Sequence, residues 1–388
     1  MLNYTHDIPT KIHFGKGSIQ YLAESLEPFG KNVLLAYGGG SIKKIGLYDE
    51  VIKILNDHGF TITECSGIEP NPRIESVEKG VKLCKENRID VVLAVGGGST
   101  IDCAKAICTG VYYEGDLWDM VKIHDNTRKA LPLVDILTLS ATGSEYDGGG
   151  VISNLETKEK LGNNFTYPTV SICDPTYTFS VSKYQTAAGS ADIMSHIFEG
   201  YFSRTMDSDL ADGIAETILK SVMKNLPIAL KDPTNYEARA NLMADSSIAC
   251  SGIPEYGKAS TGWPCHAMEH ELSAFYDITH GVGLAILTPR WMRYILKKDP
   301  TTLERFTKFA RNVIGLDGED EEKLANDAID QLEQFFKDCE IPMTLTELNI
   351  DSTHFIEMAK HANRNNRLLN AYVPLTEDDV VAIYKDCL

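Results

Sequence analysis

Short apolar runs alternate with amphipathic helical patterns between residues 30 and 175 of this 388-residue chain. Segments such as LYDEVIKILNDHG (47–59) and RIESVEKGVKLCKENR (73–88) carry apolar residues at helical spacing. The runs between them are predicted strands, and except for FTITEC they are largely apolar, as strands covered on both faces of a parallel sheet are. They are NVLLAY (32–37), FTITEC (60–65), DVVLAV (90–95), LPLVDILTL (131–139) and TVSICD (169–174). This alternation predicts right-handed βαβ units and a doubly wound, Rossmann-like α/β domain with a parallel sheet.

The pattern changes after about residue 182. Long helical stretches follow, among them TAAGSADIMSHIFEGYFS and EEKLANDAIDQLEQFFKDCE, and no segment has the character of a strand. We therefore expect two domains, a dinucleotide-binding α/β domain over 1–182 and an all-helical domain over 183–388. A cleft between two unlike domains is the usual place for an active site.

Two of the predicted strands end in the same loop, GGGS. The second copy, Gly96–Ser99, leads directly into a helical pattern, so its glycines are expected at a helix N-terminus. Free N–H groups and the positive end of the helix dipole favour a pyrophosphate there. The chain has no GxGxxG fingerprint, and FGKGS at 14–18 is interpreted as a turn.

The first copy bears on the choice of coenzyme. Dinucleotide folds usually place an Asp or Glu at this strand end to bind the adenosine ribose. In this chain the strand end carries Gly38, Gly39 and Ser41 instead of a carboxylate. Lys43 and Lys44 follow shortly after. A missing carboxylate and nearby cations suit a ribose 2′-phosphate, so the sequence favours NADP(H) over NAD(H).

Charge and cysteine content exclude several classes of protein. The net charge of −18 argues against a nucleic-acid partner, which requires clustered Lys and Arg. No run of about 18 apolar residues predicts a membrane span, and the N-terminus lacks a signal-peptide pattern. Nine scattered cysteines without a CxxC pair suit reduced thiols. We expect a cytoplasmic protein with no membrane or nucleic-acid partner.

Two segments concentrate possible metal ligands. In SADIMSHIFEGY, Asp192 and His196 are one helical turn apart and share a face. In GWPCHAMEHELSAFYDITHG, His266, His270 and His280 follow one another closely, in a chain with ten histidines. One carboxylate and several imidazoles suit divalent iron or zinc with a position left open for substrate.

Several motifs together resemble the iron-containing (group III) alcohol dehydrogenases, in the branch of butanol dehydrogenases and broad-specificity aldehyde reductases. The resemblance covers essentially the whole chain. The motifs are IHFGKGS, YGGGSIKK, EPNPR, AVGGGSTIDCAK, TLSATGSE, AAGSADIMSHIFEGYF and HAMEHELSAFYDITHGVGLAILTP.

The resemblance implies the site residues. Its metal ligands fall on Asp192, His196, His266 and His280, with Fe²⁺ favoured and Zn²⁺ as the alternative. His270 matches a histidine that is not a usual ligand and is assigned to substrate contact or proton relay. Asp102 falls near the nicotinamide. The resemblance further implies a dehydroquinate synthase-like architecture and a homodimer that pairs through residues 4–14. The cofactor positions are Gly38, Gly39, Ser41, Asn71, Gly97, Gly98, Ser99, Asp102, Thr138, Thr142 and Lys160.

The sequence thus predicts a metal-dependent NAD(P)(H) alcohol dehydrogenase or aldehyde reductase for short-chain primary alcohols such as butanol. A polyol dehydrogenase for glycerol or propanediol is an alternative within the same superfamily, as is a synthase that uses NAD without net redox. A metallohydrolase would use the histidines but leaves the glycine loops unexplained. A nucleotide-binding regulator leaves the histidines unexplained.

Overall fold

The computed structural model describes residues 1–123, 125 and 129–388, and these form two compact units. The α/β unit comprises residues 7–181 and 233–247. The helical unit comprises residues 1–6, 182–232 and 248–388. The predicted division at 182/183 therefore differs in two segments, because 1–6 group with the helical unit and 233–247 with the α/β unit.

The α/β unit is built on a six-stranded sheet in which every neighbouring pair is parallel. The central strands are buried on both faces, which is why the sequence shows continuous apolar runs rather than alternation. The strands are β1 (Lys11–Phe14), β2 (Asn32–Tyr37), β3 (Thr61–Ser66), β4 (Val91–Gly96), β5 (Leu133–Leu137) and β8 (Val170–Cys173); an antiparallel hairpin outside the sheet supplies β6 (Gly149–Asn154) and β7 (Glu159–Asn164).

The order of strands in the sheet is β1-β8-β5-β4-β2-β3. The chain passes from β2 outward to β3, then returns to the other side of β2 with β4. The strand order thus reverses between β2 and β4, and open α/β sheets bind ligands outside the carboxyl ends of the strands at such a point. This arrangement confirms the predicted parallel, Rossmann-like sheet.

Helices follow the strands as the helical patterns predict. Gly80 on one of them lies against Ile107 on the next helix, where an added Cβ would collide with the isoleucine side chain. The helices of this part are α1 (Leu22–Leu26), α2 (Ser41–Lys44), α3 (Leu47–Asp57), α4 (Ile74–Asn87), α5 (Gly98–Gly110) and α6 (Leu117–Lys122).

The helical unit contains no strand among residues 182–232 and 248–388, all of which are described. Its helices include two with an internal proline, Pro227 and Pro289. They are α7 (Lys183–Tyr201), α8 (Asp209–Lys231), α10 (Pro264–Tyr276), α11 (His280–Lys298), α12 (Leu303–Phe309), α13 (Glu321–Asp338), α14 (Phe355–Ala362) and α15 (Glu377–Asp386); α9 (Tyr236–Ala249) belongs mostly to the α/β unit.

Within the described ranges, none of the helices combines the length and the apolar character needed to cross a lipid bilayer.

Candidate active site

Both GGGS loops lie at the carboxyl-terminal edge of the sheet, on the two strands that flank the reversal of strand order. The first follows β2 and ends at the start of α2. In the second, Gly97 precedes the first residue of α5, so the loop forms the N-terminus of a 13-residue helix as predicted. A Cβ added to Gly98 would collide with the Thr142 side chain, so this loop lies tightly against the one after β5. Six of the predicted cofactor residues are in these loops: Gly38, Gly39, Ser41, Gly97, Gly98 and Ser99.

The remaining predicted cofactor residues are less tightly grouped. Asn71 has left-handed backbone geometry (φ 51°) in the loop after β3. Thr138 directly follows β5, and its N–H donates to the Gly96 carbonyl at 2.9 Å. Thr142 lies in the same loop, whereas Lys160 is buried on the hairpin strand β7. The sheet edge therefore carries all of these positions except Lys160.

Asp102 lies buried on α5, and both of its carboxylate oxygens are engaged. Oδ1 accepts from the Ser144 hydroxyl at 2.5 Å, and Oδ2 accepts from the Val151 N–H at 2.9 Å. Burial raises the pKa of this carboxyl to about 6, against the lowering effect of Lys105 and the two hydrogen bonds. Asp102 thus anchors the segment that leads into β6.

A second buried carboxyl in this unit gives a pH-dependent prediction. Glu145 accepts from the Ser247 hydroxyl at 2.6 Å, and burial raises its pKa to about 7. The raised pKa means that the folded chain holds this proton more tightly than the unfolded chain. Its stabilising contribution is complete below about pH 4.5 and is lost as the pH rises through 7. Glu145→Gln should therefore become more stable than wild type as pH rises, by about 3 kcal/mol above pH 8.

Thermal midpoints of the two proteins between pH 4.5 and 8.5 measure this difference. Glu156→Gln, at an exposed position, is the control and should follow wild type across the range. A Glu145→Gln difference that stays constant with pH would contradict the assignment.

The helical unit brings the predicted metal ligands together around one carboxylate oxygen. Asp192 Oδ1 lies 3.6 Å from His196 Nε2, 3.8 Å from His266 Nε2 and 3.7 Å from His280 Nε2. Asp192 and His196 come from α7, His266 from α10 and His280 from the first residue of α11. Ligand atoms about 2.1 Å from a tetrahedral ion lie about 3.4 Å apart, so the cluster is close to the size of such a site.

Three of the four side chains in the cluster are buried. The side chains of Asp192, His196 and His266 are 3–7% exposed, while His280 is 21% exposed. In the described part of the chain, Asp192 Oδ1 and His266 Nε2 are buried and accept or donate no hydrogen bond. Buried polar atoms normally have partners, so these two atoms, which lie 3.8 Å apart, fit a cation as the missing partner.

The protonation of the cluster follows from its burial and its charges. Burial raises the pKa of Asp192, but the three imidazoles outweigh it and hold the pKa well below its ordinary value. Burial lowers the pKa of His196 to about 3, which keeps its ring neutral. Burial also lowers the pKa of His266, but the Asp192 and Glu199 carboxylates reverse this and raise it. Without a metal the His266 ring is therefore held as an imidazolium between the two carboxylates, and a divalent metal that takes its Nε2 must displace that proton, because ligating imidazoles are neutral.

Two further carboxylates contact the Nδ1 atoms of the histidines, and neither is among the site residues predicted from the sequence. Glu199 Oε1 lies 3.1 Å from His266 Nδ1, and a Glu269 oxygen contacts His280 Nδ1. Their spacing in the sequence could have identified them, because Glu199 follows His196 by three residues and Glu269 follows His266 by three residues. At that spacing a carboxylate shares the helix face of the histidine.

His270 and Trp263 border the cluster. The His270 ring centroid is 5.6 Å from that of His280, and a ring nitrogen of His270 lies within 4.8 Å of ligand atoms of Glu269 and His280. The Trp263 ring lies 4.9 Å from His266, and its backbone has a left-handed φ of 51° directly before α10. An aromatic ring held in an unfavourable backbone conformation beside a buried cluster is typical of a ligand site.

Comparison with known proteins places the chain in a family. The model of the iron-containing alcohol dehydrogenases matches residues 9–175, and that of the C-terminal part of the Fe-containing alcohol dehydrogenase family matches residues 186–388. NADH-dependent butanol dehydrogenase A of Clostridium acetobutylicum is 51% identical, with 99% of each chain covered. NADPH-dependent aldehyde reductase YqhD of Escherichia coli is 34% identical over 93% of this chain and 92% of its own. The crystal structure of NADH-dependent butanol dehydrogenase A from Thermotoga maritima superimposes with a TM-score of 0.94 at 39% identity, covering 100% and 99% of the two chains.

The chain therefore belongs to the iron-containing alcohol dehydrogenase family. This confirms the alcohol dehydrogenase predicted from the sequence and favours it over a metallohydrolase or a nucleotide-binding regulator. The enzymes of this family combine a nicotinamide dinucleotide with a divalent metal.

Proposed function

We propose that this enzyme interconverts short-chain primary alcohols such as butanol and their aldehydes, using a divalent metal held by Asp192, His196, His266 and His280. The convergence of three Nε2 atoms on Asp192 Oδ1 carries the proposal. The 51% identical relative is named a butanol dehydrogenase, which supports a C4 substrate. Fe²⁺ is proposed ahead of Zn²⁺, because a carboxylate and three imidazoles without a thiolate suit a harder ion.

In the proposed reaction, a hydride leaves the alcohol carbon for nicotinamide C4 and the hydroxyl proton leaves separately, giving aldehyde and reduced dinucleotide. A bound divalent ion supplies Lewis acidity, which favours negative charge on the substrate oxygen. The chain supplies the buried surroundings of Asp192 and His266, where electrostatic interactions are stronger than in water. His270, half-buried beside His280, is proposed to contact the substrate or to carry the proton.

The dinucleotide is proposed to bind along the two glycine loops and the loops near them. The residues are Gly38, Gly39, Ser41, Asn71, Gly97, Gly98, Ser99, Thr138, Thr142 and Lys160. Asp102 is proposed to act at the nicotinamide side by holding the segment of Ser144 and Val151 to which both its oxygens are bonded.

We further propose a cytoplasmic homodimer. Nine free cysteines suit a reducing compartment, and β1 is an edge strand that pairs only with β8 among the described residues.

Removal of the metal is the first test. Exhaustive chelation should reduce butyraldehyde-dependent oxidation of the reduced dinucleotide to background, and added Fe²⁺ or Zn²⁺ should restore it. Metal content measured on the same samples must follow the activity. Rates for C2–C6 aldehydes, glycerol and propanediols then decide between the butanol and polyol substrates. Full activity in a sample without metal would refute the role proposed for the cluster.

For the coenzyme we propose a preference for NADP(H). Of the three relatives named above, two are called NADH-dependent and one NADPH-dependent, so the proposal rests on the chain's own residues. Three glycines follow β2 directly, and a Cβ added to Gly39 or Gly40 would meet nothing within 4 Å. The Lys43 ammonium is held 4.3 Å from the Tyr48 ring centroid, close to this open space. Glu64, which interacts electrostatically with Lys43, accepts hydrogen bonds from the Tyr37 and Tyr48 hydroxyls. The Lys43 cation and the lack of a carboxylate among residues 38–41 both favour a 2′-phosphate.

Gly39→Asp tests the coenzyme proposal. The new carboxylate should repel the 2′-phosphate and bind the ribose hydroxyls, lowering kcat/KM for NADPH about 10- to 100-fold and leaving NADH less affected. Gly39→Asn adds nearly the same volume without charge and is the matched control. Wild-type kcat/KM that is higher for NADH, or equal losses in the two variants, would count against NADP(H).

A further inference from the structure

Glu199 links two of the helices that supply the cluster. It lies on α7, the helix of Asp192 and His196, seven residues after Asp192. Its Oε1 accepts from the backbone N–H of His266 at 2.8 Å and lies 3.1 Å from His266 Nδ1. Its side chain is 1% exposed, so this contact is shielded from water. A carboxylate on α7 therefore fixes both the start of α10 and the ring of its histidine.

Glu269 links α10 to α11 in the same way that Glu199 links α7 to α10. It lies on α10, three residues after His266, and its side chain is fully buried. One oxygen contacts Nδ1 of His280 on α11, and the other accepts from the Ser273 hydroxyl. The start of α11 is close enough because residue 283 is glycine, where a Cβ would come within 2.8 Å of the Glu269 side chain.

We propose that Glu199 and Glu269 are positioning residues that set metal affinity by orienting the two histidines that come from other helices. This inference rests on the metal site proposed above. A carboxylate that accepts from Nδ1–H leaves the lone pair on Nε2, and it also makes that nitrogen a better donor to a metal. The Nε2 atoms of His266 and His280 are the ones that face Asp192 Oδ1.

Each of two helices supplies the carboxylate that orients a histidine on another helix. Helix α7 supplies two candidate ligands and the carboxylate that orients His266. Helix α10 supplies His266 and the carboxylate that orients His280. Three buried carboxylates, Asp192, Glu199 and Glu269, therefore surround the place of one divalent ion.

Zn²⁺ affinity measured by competition with a chromophoric chelator tests the proposal without reference to activity. Glu199→Gln and Glu269→Gln keep the shape of the side chain and remove its charge. Each should weaken Zn²⁺ binding at least about 10-fold, and Glu199→Ala should weaken it further, toward about 100-fold. The visible absorption of the Co²⁺-loaded proteins should change as well, because the ligands are less well oriented.

Glu271→Gln is the matched control. Glu271 is a buried carboxylate on the same helix, and it lies 3.2 Å from Nδ1 of His361, which is outside the cluster. Its Zn²⁺ affinity and Co²⁺ spectrum should match wild type. Thermal midpoints of the metal-free proteins show whether each variant is folded.

The outcomes separate the two proposals. If wild type fails to bind one equivalent of Zn²⁺, the metal site itself is overturned. If wild type binds and the folded Glu199→Gln and Glu269→Gln proteins bind within twofold of it, only the positioning role is overturned. Equal weakening by Glu271→Gln would also overturn it, because the effect would then belong to any buried charge on α10.

Discussion

Replacing His266 with alanine should lower kcat for butyraldehyde reduction by about 1000-fold or more while dinucleotide affinity stays within about twofold of wild type. The cluster loses one of the three Nε2 atoms around Asp192 Oδ1, and Glu199 loses the ring that it holds. Lewis-acid stabilisation is worth several kcal/mol, and about 4 kcal/mol corresponds to this factor in rate. Binding of the dinucleotide should persist, because its proposed residues belong to the other unit of the chain.

The measurement combines steady-state rates, metal content and calorimetric titration with NADPH and NADH. His361→Ala is the control, since the half-buried His361 also lies against a buried glutamate, yet it is not part of the cluster. That variant should keep its metal and most of its activity. If His266→Ala lost dinucleotide binding together with turnover, the assignment of separate residues to the two functions would be wrong.

The α/β unit could be predicted because its signals are local. The runs that form the central strands β4 and β5 are buried on both faces in the structure, whereas β3 at the edge of the sheet is largely exposed. Both glycine loops directly follow a strand, as predicted. The β6–β7 hairpin, at 149–154 and 159–164, was not predicted. Its strands carry Gly149, Gly150, Asn163 and Asn164, which have little strand character, so its pairing depends on contacts with the rest of the unit.

The metal cluster could be predicted only in part. The four-residue spacing of Asp192 and His196 places them on one helix face, and this pair follows from periodicity alone. Periodicity does not predict that His266 and His280 lie near this pair, because their position depends on how α10 and α11 pack on α7. Family resemblance supplied that information. The grouping of residues 1–6 and 233–247 likewise depends on packing between distant segments, which no local pattern encodes.

Gly281→Ala should disrupt the cluster from outside it. A Cβ on residue 281 would overlap the carbonyl oxygen of Ala188 on α7, a backbone atom that cannot rotate away. In an α-helix that carbonyl accepts from the N–H four residues later, which is that of Asp192. The added methyl group would therefore push α11 and His280 away from the turn of α7 that carries Asp192. Overpacking of this kind costs about 1–3 kcal/mol, or roughly 2–10 °C in the thermal midpoint.

The catalytic effect of Gly281→Ala should exceed the loss of stability, because a displacement of about 1 Å can cost a factor of about 100 in rate. Zn²⁺ affinity should fall with kcat, while dinucleotide binding remains. Gly213→Ala on α8 is the matched control, since its Cβ would meet nothing within 4 Å and alanine favours the helix by up to about 1 kcal/mol. Gly281→Ala with wild-type stability and activity would mean that α11 can shift without moving His280, and the close contact of the two helices would then not hold the cluster together.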